Sequence, residues 1–434
     1  MKKEVKIFWF RRDLRLDDNV GFFEALKSGP SVLSIFIFDT EILDKLPKDD
    51  PRVSFIYLNL QKIQKILKEK GSSLGMYYGK PLEIFKNLLE DFTVTSVYTN
   101  TDYEPYARQR DKEIEHFLSS KNVSFHSFKD QVIFQFNEIL KKNGEPYVVY
   151  TAYMNLWKEE FRKMELEENK TENYFQNLYH NKNLPELTLS EIGFKPSKIK
   201  VPPFDISSER IREYEKYRDY PAKDATTHLG PYLRFGIVSI RNIVKIAAEE
   251  KNEIFLQELI WREFFMQILY HYPQTVTEAF KIKYDRIKWR NNEEEFELWK
   301  AGKTGYPLVD AGMRQMNSTG FMHNRIRMLV GSFLCKHLLI DWRWGEAYFA
   351  EKLLDYELSS NVGNWQWVAG SGIDAAPYFR IFNPTTQILK FDKDLEYVKS
   401  YVGEFGTNNY PPEIVDHKEA RERALREYKE ALSN

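Results

Sequence analysis

Up to about residue 130 the chain alternates short apolar runs with helical stretches. The runs "VKIFWF" (5–10), "SVLSIFIF" (31–38), "SLGMYYG" (73–79), "VTSVYTN" (94–100) and "VSFHSF" (123–128) are separated by segments such as "VSFIYLNLQKIQKILKEKG" and "EPYARQRDKEIEHFLSS". Runs that are apolar at nearly every position are buried on both faces, and strands joined through helices run parallel. The pattern therefore demands an α/β domain with a parallel sheet, Rossmann-like in build. No GxGxxG follows the first run, which removes the ordinary dinucleotide fingerprint.

The remaining chain changes character twice. From about 165 to 205 it is polar and broken by proline, which predicts a long surface linker. Beyond Ser208 the apolar period is helical almost to the end, as in "NEIFLQELIWREFFMQILYHY" (252–272) and "HNRIRMLVGSFLCKHLLI" (323–340). We expect an α/β domain over 1–130, a connector over 131–208 and an all-α domain over 209–434. A length of 434 residues suits that division.

Composition closes off several functions. The net charge of −1 gives no overall pull toward nucleic acid, so a DNA-binding face must be a local basic patch. A single cysteine, Cys335, excludes a disulfide framework and a cysteine-rich metal site, and fits a reducing cytoplasm. The basic N-terminus is interrupted by Arg11 and Arg12 too early for a signal peptide, and no apolar stretch reaches membrane-span length. A soluble cytoplasmic protein is expected, with no membrane association and no sign of an obligate oligomer.

Catalytic motifs of the usual kinds are missing. "GKTGYPLVD" (302–310) is not a phosphate loop, because the required first glycine is Leu298. His323 has no second ligand at helical spacing, so a structural histidine is expected rather than a metal site, and no nucleophile triad is present. Aromatic residues are plentiful instead, at 15% of the chain. Trp261, Trp289, Trp299, Trp342, Trp344, Trp365 and Trp367 all fall between 261 and 367. A large helical core accounts for most such rings. It does not account for Trp365 and Trp367 within "NVGNWQWVAGSG".

Three polar groupings accompany these rings. In "YPAKDATTHLGPYLRFG", Thr226, Thr227 and His228 precede a helical run beginning near Tyr232, which is either an anion cradle or an ordinary N-cap. "ELIWREFF" sets Glu258, Trp261 and Arg262 within about one helical turn. "HNRIRM" offers Asn324, Arg325, Arg327 and Met328. Together these suit a nucleobase lifted from its helix, stacked by Trp261 and Trp367, read at its edge by Glu258 and Asn324, and steadied through phosphate by Arg325. The competing reading is a pair of amphipathic core helices, which explains the tryptophans but not their polar neighbours.

"FWFRRDLRLDDN", "THLGPYLRFG", "ELIWREFF", "GYPLVDAGMRQMNSTGFMHNRIRM", "LLIDWRWGEAYF" and "NWQWVAGSGIDAAPYFRIFNPTTQ" resemble the photolyase/cryptochrome family, in order and over nearly the whole chain. Within it the chain is most similar to class I cyclobutane pyrimidine dimer photolyases. The resemblance implies an α/β antenna domain, a connector and a helical domain binding FAD. It also implies light-dependent repair of pyrimidine dimers in duplex DNA by electron transfer from excited reduced flavin. A blue-light cryptochrome receptor and a single-strand-preferring relative are the alternatives. A (6-4) repair function is disfavoured by Asn324 and Met328, which stand where those relatives have a histidine pair.

Residue by residue, the resemblance assigns FAD contacts to Tyr214, to Thr226, Thr227, His228, Leu229 and Gly230, and to Arg327, Asp355, Glu357 and Asn361. Gly230 replaces a common serine and Glu357 a common Asp; Arg327 and Asp355 are expected as a buried ion pair against the flavin. Asn361 would face the flavin N5 as an amide that hydrogen-bonds but supplies no proton, which favours repair over signalling. Trp365, Trp342 and Trp289 match the electron-transfer chain. Glu258, Trp261, Arg262, Asn324, Arg325, Met328 and Trp367 would meet the damaged DNA, with Arg380 and Gln387 near its face. No metal is implied. For a possible antenna chromophore, Tyr106 and Ala107 stand where folate binders carry Asn-Glu, leaving a deazaflavin or FMN.

Overall fold

The computed structural model describes residues 2–433. Five strands, β1 (Lys3–Phe10), β2 (Val32–Asp39), β3 (Leu74–Gly79), β4 (Phe92–Asn100) and β5 (Ser124–Phe128), form one parallel sheet in the order β3-β2-β1-β4-β5. The helices are α1 (Val20–Lys27), α2 (Thr40–Leu43), α3 (Pro51–Glu69), α4 (Pro81–Asp91), α5 (Pro105–Ser119), α6 (Tyr150–Phe161), α7 (Ser208–Tyr217), α8 (Gly230–Arg234) and α9 (Ile240–Glu249). There follow α10 (Ile254–His271), α11 (Glu293–Ala301), α12 (Pro307–Thr319), α13 (Asn324–Ser332), α14 (Trp342–Lys352), α15 (Leu358–Ala369), α16 (Pro384–Phe391), α17 (Glu396–Tyr401) and α18 (His417–Ser433).

Each expected run becomes a strand, and the alternation of side chains builds a core on each face of the sheet. Phe8, Phe10, Phe36 and Phe38 join one core with residues of α1 and α3. Val5, Ile7, Trp9, Ile35 and Ile37 join the other with residues of α4 and α5. The stretch between β1 and α1 is organised by polar side chains in place of a glycine loop. Asn19 caps α1 through Phe22 N, and the Asn100 amide donates to both Asp13 Oδ2 (2.6 Å) and Asn19 Oδ1 (2.8 Å).

The chain forms two compact units that interleave along the sequence. One comprises Met1–Ile139, Trp157–Phe204 and Leu229–Glu249; the other comprises Leu140–Leu156, Asp205–His228 and Glu250–Asn434. The segment read as a connector, 131–208, is thus divided between both units. Its polar stretch is no free linker either: Leu178, Tyr179, Leu184, Ile192 and Phe194 are buried, and Leu178 bridges to Val32 of β2. Apolar residues spaced several positions apart leave the average polar while still covering the sheet.

A buried ionic cluster ties the first unit together. Arg15 and Arg241 both bond Asp130, at 2.7 and 3.0 Å, and Arg241 also bonds Asp18 at 2.9 Å. Burial raises the Asp130 carboxyl, but the two guanidinia outweigh it and hold it below the ordinary range. Asp130→Asn leaves buried Arg15 without its carboxylate, Arg241 keeping Asp18, so a loss of roughly 3–5 kcal/mol is expected. A urea-unfolding midpoint equal to that of the parent protein would contradict this.

Histidines in the second unit set its acid response. His323 is buried and its Nδ1 accepts from Arg325 N at 3.2 Å, capping α13, the structural role expected for it. Burial pushes His323 down to about 4 and His337, which meets His417 Nδ1 at 2.8 Å, down to about 3. Unfolded, both take up a proton near ~6.5, so below that pH the unfolded state binds more protons than the folded one. Stability is therefore complete above about 6.5 and falls by up to about 1.4 kcal/mol per pH unit for each histidine as the pH drops toward 4. Thermal denaturation against pH measures this slope, and His323→Gln should reduce it.

Candidate active site

The segment "LSSNVGNWQWVA" is helix α15, which Gly370 ends in the left-handed conformation at φ 89°. Residues two apart on a helix point ~200° away from each other, so Trp365 and Trp367 face different surroundings. Two glycines make the packing possible. A Cβ on Gly363 would collide with the Phe265 ring of α10, and one on Gly345 of α14 would collide with the Trp365 indole. α15 is thus held against a helix on either side, closer than any side chain would allow. Gln366, between the tryptophans, is buried and fully bonded: its amide donates to Thr275 O and Glu278 O, and its carbonyl accepts from Phe280 N.

One face of α15 borders a cavity, open to solvent, whose walls include Arg327, Phe349, Asp355, Glu357, Asn361 and Trp365. Arg327 Nη2 pairs with Asp355 at 2.9 and 3.1 Å; the two side chains keep 25% and 21% exposure, so the pair is half-buried where full burial was expected. The Asn361 amide donates to Glu346 O (3.1 Å) and Glu346 Oε1 (2.9 Å), leaving its carbonyl oxygen for the cavity. Burial pushes the Glu346 carboxyl up, the bond from Asn361 only partly opposing it. Glu346 lies 15 residues before Asn361, on the preceding helix α14, and no motif marks it.

A second cavity, also open to solvent, is lined by Arg218, Glu258, Trp261, Arg262, Phe265 and residues of α13 and α15. The two cavities share Asn324, Met328, Ser360, Asn364 and Trp367, so they adjoin. Glu258 pairs with Arg218 at 2.6 Å. Tyr150 stacks on Trp261 with centroids 3.5 Å apart and planes 9° from parallel, and its hydroxyl donates to Gln257 O. Arg218 and Tyr150 were not legible from sequence, since each comes from a distant helix. Arg262, expected at the DNA, and Glu357, expected at the flavin edge, bond each other, with Nε to Oε2 at 3.3 Å. The Glu357 carboxylate is therefore committed to a guanidinium and buried.

Other expected residues lie elsewhere. Arg325 pairs with Asp219 at 2.5 Å and packs over Phe391, which occupies the charge meant for phosphate. Arg380 is exposed and Gln387 sits half-buried on α16, outside both cavity walls. Tyr214 packs edge-on to Phe255, with the Arg218 guanidinium 5.3 Å from its ring. Thr226, Thr227 and His228 belong to the second unit, Leu229 and Gly230 to the first. Among the described residues none of the five borders either cavity. The helix after them begins at Gly230 rather than near Tyr232 and lasts five residues. Neither threonine caps it: its N-cap is Leu229, which makes no side-chain bond. His228 takes a left-handed φ of 50° and bonds Asp224 Oδ1 at 2.8 Å. Trp342 and Trp365 are buried in one core, with half-buried Trp289 packed against it. Among the described residues no His, Cys, Asp or Glu cluster has metal-ligand geometry.

Residues 6–172 match the DNA photolyase family model, and residues 255–408 match the FAD binding domain of DNA photolyase. The deoxyribodipyrimidine photo-lyase of Halobacterium salinarum is 33% identical, covering 98% of this chain and 99% of its own. That of Escherichia coli is 35% identical, covering 98% of both. The chain belongs to the DNA photolyase family. Among solved structures, a bacterial class III photolyase from Agrobacterium tumefaciens superposes with TM-score 0.89 at 33% identity, over 100% of this chain and 99% of that one. An archaeal photolyase from Sulfolobus tokodaii with two FAD molecules gives 0.81 at 33% identity, over 98% and 100%. The family is settled; the narrower likeness to class I is not, since a class III enzyme is among the neighbours.

FAD is the cofactor of this fold, and the first cavity suits a flavin ring system. It offers a carbonyl acceptor on Asn361, a fixed ion pair on one wall and flat aromatic rings on others. It also passes the backbone of Gly331, where a Cβ would meet Val368 at 3.1 Å and Trp365 at 3.5 Å.

Proposed function

We propose that this chain is a light-dependent DNA repair enzyme that splits cyclobutane pyrimidine dimers, with FAD in the first cavity and the dimer in the second. The observation that carries the reading is the shared wall of Asn324, Met328, Ser360, Asn364 and Trp367. Groups on its two sides are near enough for an electron to cross without leaving protein. Reduced FAD, when bound there, would supply the light-driven electron transfer that opens the cyclobutane ring.

The residues supply the rest. Trp261 and Trp367 stack the extruded bases, Trp261 backed on its other face by Tyr150. Glu258, steadied by Arg218, bonds the pyrimidine edge and stabilises charge that arrives there. Asn324 reads the adjoining edge, and Met328 packs where a proton donor would serve other lesions. Arg325 reaches phosphate by exchanging its bond to Asp219. Arg327, Asp355 and Glu357 orient the flavin, and Tyr214 with the segment Thr226–Gly230 serves its more distant parts. Trp289, Trp342 and Trp365 carry electrons inward to restore the reduced state.

Asn361 lines the flavin cavity without giving up a proton, because a carboxamide is no acid at these pH values; its amide nitrogen is held by Glu346. Asn361→Asp would set a second carboxyl against the buried Glu346, and two carboxyls so placed retain a proton between them. A changed spectrum of the light-reduced protein and depressed repair are expected. An unaltered spectrum together with parental repair would remove Asn361 from this role.

The enzyme is proposed to act as a monomer in the cytoplasm. Cys335 is buried and unpaired, and no described helix is long and apolar enough to cross a membrane. An antenna, if carried, is a deazaflavin or FMN in the first unit, where Tyr106 donates to Asp39 at 2.6 Å in place of a folate-binding amide. The decisive test is a duplex bearing one dimer, incubated with reduced protein in light and in darkness. Persistence of the dimer under illumination would refute the repair function.

A further inference from the structure

Of the five residues on the wall shared by the two cavities, Ser360 and Asn364 have no part in the proposed reaction. Both belong to α15, and Trp367 follows Asn364 by three positions, so the three side chains lie along one stripe of that helix. Asn364 is exposed, whereas Trp365 and Gln366 beside it are buried. Core packing explains those two neighbours and gives no reason for an amide at 364.

The orientation of that amide is fixed. Its Nδ2 donates to Ser360 O at 2.7 Å, and a backbone carbonyl can only accept, so the nitrogen must face back along the helix. Oδ1 is thereby left as the acceptor that Asn364 presents on the wall. The second cavity is bordered from α10 by another acceptor, the Glu258 carboxylate, which Arg218 holds at 2.6 Å. A thymine dimer brings two imide N–H donors, one at N3 of each base. Cytosine has a bare nitrogen there.

We infer that Asn364 is a specificity-determining residue of the repair site: its Oδ1 accepts the N3–H of one pyrimidine of the dimer while Glu258 accepts that of the other. The inference rests on the dimer occupying the second cavity. A base stacked on Trp367 lies within one helical turn of Asn364, since side chains three apart on a helix are ~5–6 Å apart at Cβ. As the base closes over the amide, Oδ1 loses water, and only a base with a hydrogen at N3 restores the bond. Thymine and uracil meet that demand. Cytosine sets an acceptor against an acceptor and is rejected. The bond to Ser360 O makes the discrimination possible, because an amide free to turn would offer Nδ2 to cytosine instead.

The test is made by binding in darkness, so that no repair intervenes. Protein with FAD bound is titrated with oligonucleotides carrying one thymine dimer, the same dimer methylated at N3 of one base, or methylated at N3 of the other, and fluorescence anisotropy gives each Kd. In the parent protein each methyl group should weaken binding, because each removes one donor. Asn364→Leu keeps the size of the side chain at an exposed helical position and removes the acceptor. It should bind the unmodified dimer about two- to tenfold more weakly. It should also become indifferent to methylation of one base while remaining sensitive to methylation of the other, the one served by Glu258. Parental affinity in Asn364→Leu overturns the inference, and so does a variant still penalised by both methyl groups. A changed flavin spectrum with parental affinity overturns it as well, since Asn364 would then serve the cofactor. If the parent protein binds damaged and undamaged oligonucleotides equally, the dimer's place in the second cavity fails, and the inference falls with it.

Discussion

Trp365→Phe is expected to abolish light-driven reduction of bound FAD while leaving dimer repair by chemically pre-reduced protein largely intact. The indole borders the first cavity and is otherwise buried, so it lies beside the proposed flavin position and within the aromatic core behind it. Replacing indole by phenyl removes a readily oxidised ring but keeps an aromatic side chain against Gly345 and Phe349. The packing penalty should be on the order of 1–3 kcal/mol, small enough for the protein to remain folded. Repair itself needs no net electron, so supplying reduced FAD bypasses the defect. Bleaching under blue light and repair after chemical reduction, measured on one preparation, give the comparison. Parental bleaching would dismiss Trp365 as the inner donor.

Trp261→Ala and Trp367→Ala should both weaken binding of dimer-containing DNA, yet differ in a second respect. Base–aromatic stacking contributes about 1–3 kcal/mol per base, which corresponds to roughly five- to 150-fold in Kd for each ring. Trp261 lines only the second cavity and is supported by Tyr150 rather than by any group near the flavin. Its loss should leave the FAD content and spectrum unchanged. Trp367 lines both cavities, so its loss should weaken DNA binding and also perturb the flavin spectrum. Fluorescence titration with a dimer-bearing oligonucleotide, beside absorption spectra, distinguishes them. Equal spectra for the two variants would contradict the shared wall.

Much of this site was legible because its residues occur in compact sequence groups. Glu258, Trp261 and Arg262 lie on one helix, Asn324 through Met328 on another, and spacing alone grouped them. Partners on other elements were not legible. Arg218 against Glu258, Tyr150 against Trp261 and Glu346 against Asn361 are brought together by folding, with no signature at either end. Arg325 has a partner of the same kind. Sequence offers it for phosphate, and folding sets the Asp219 carboxylate beside it.

From residue order alone came the parallel sheet, through runs apolar at every position, and the helical second part, through its period. The family likeness came from several long motifs in fixed order. Tertiary structure alone decided that the polar segment near 180 packs on the sheet and that the two units interleave. It also decided that "NWQW" is a helix with rings turned to opposite sides. The reason is that periodicity records which side of an element is buried, whereas the neighbour that buries it is chosen by long-range packing. At α15 that choice depends on Gly345 and Gly363, two missing side chains whose purpose appears only when Trp365 and Phe265 lie across from them.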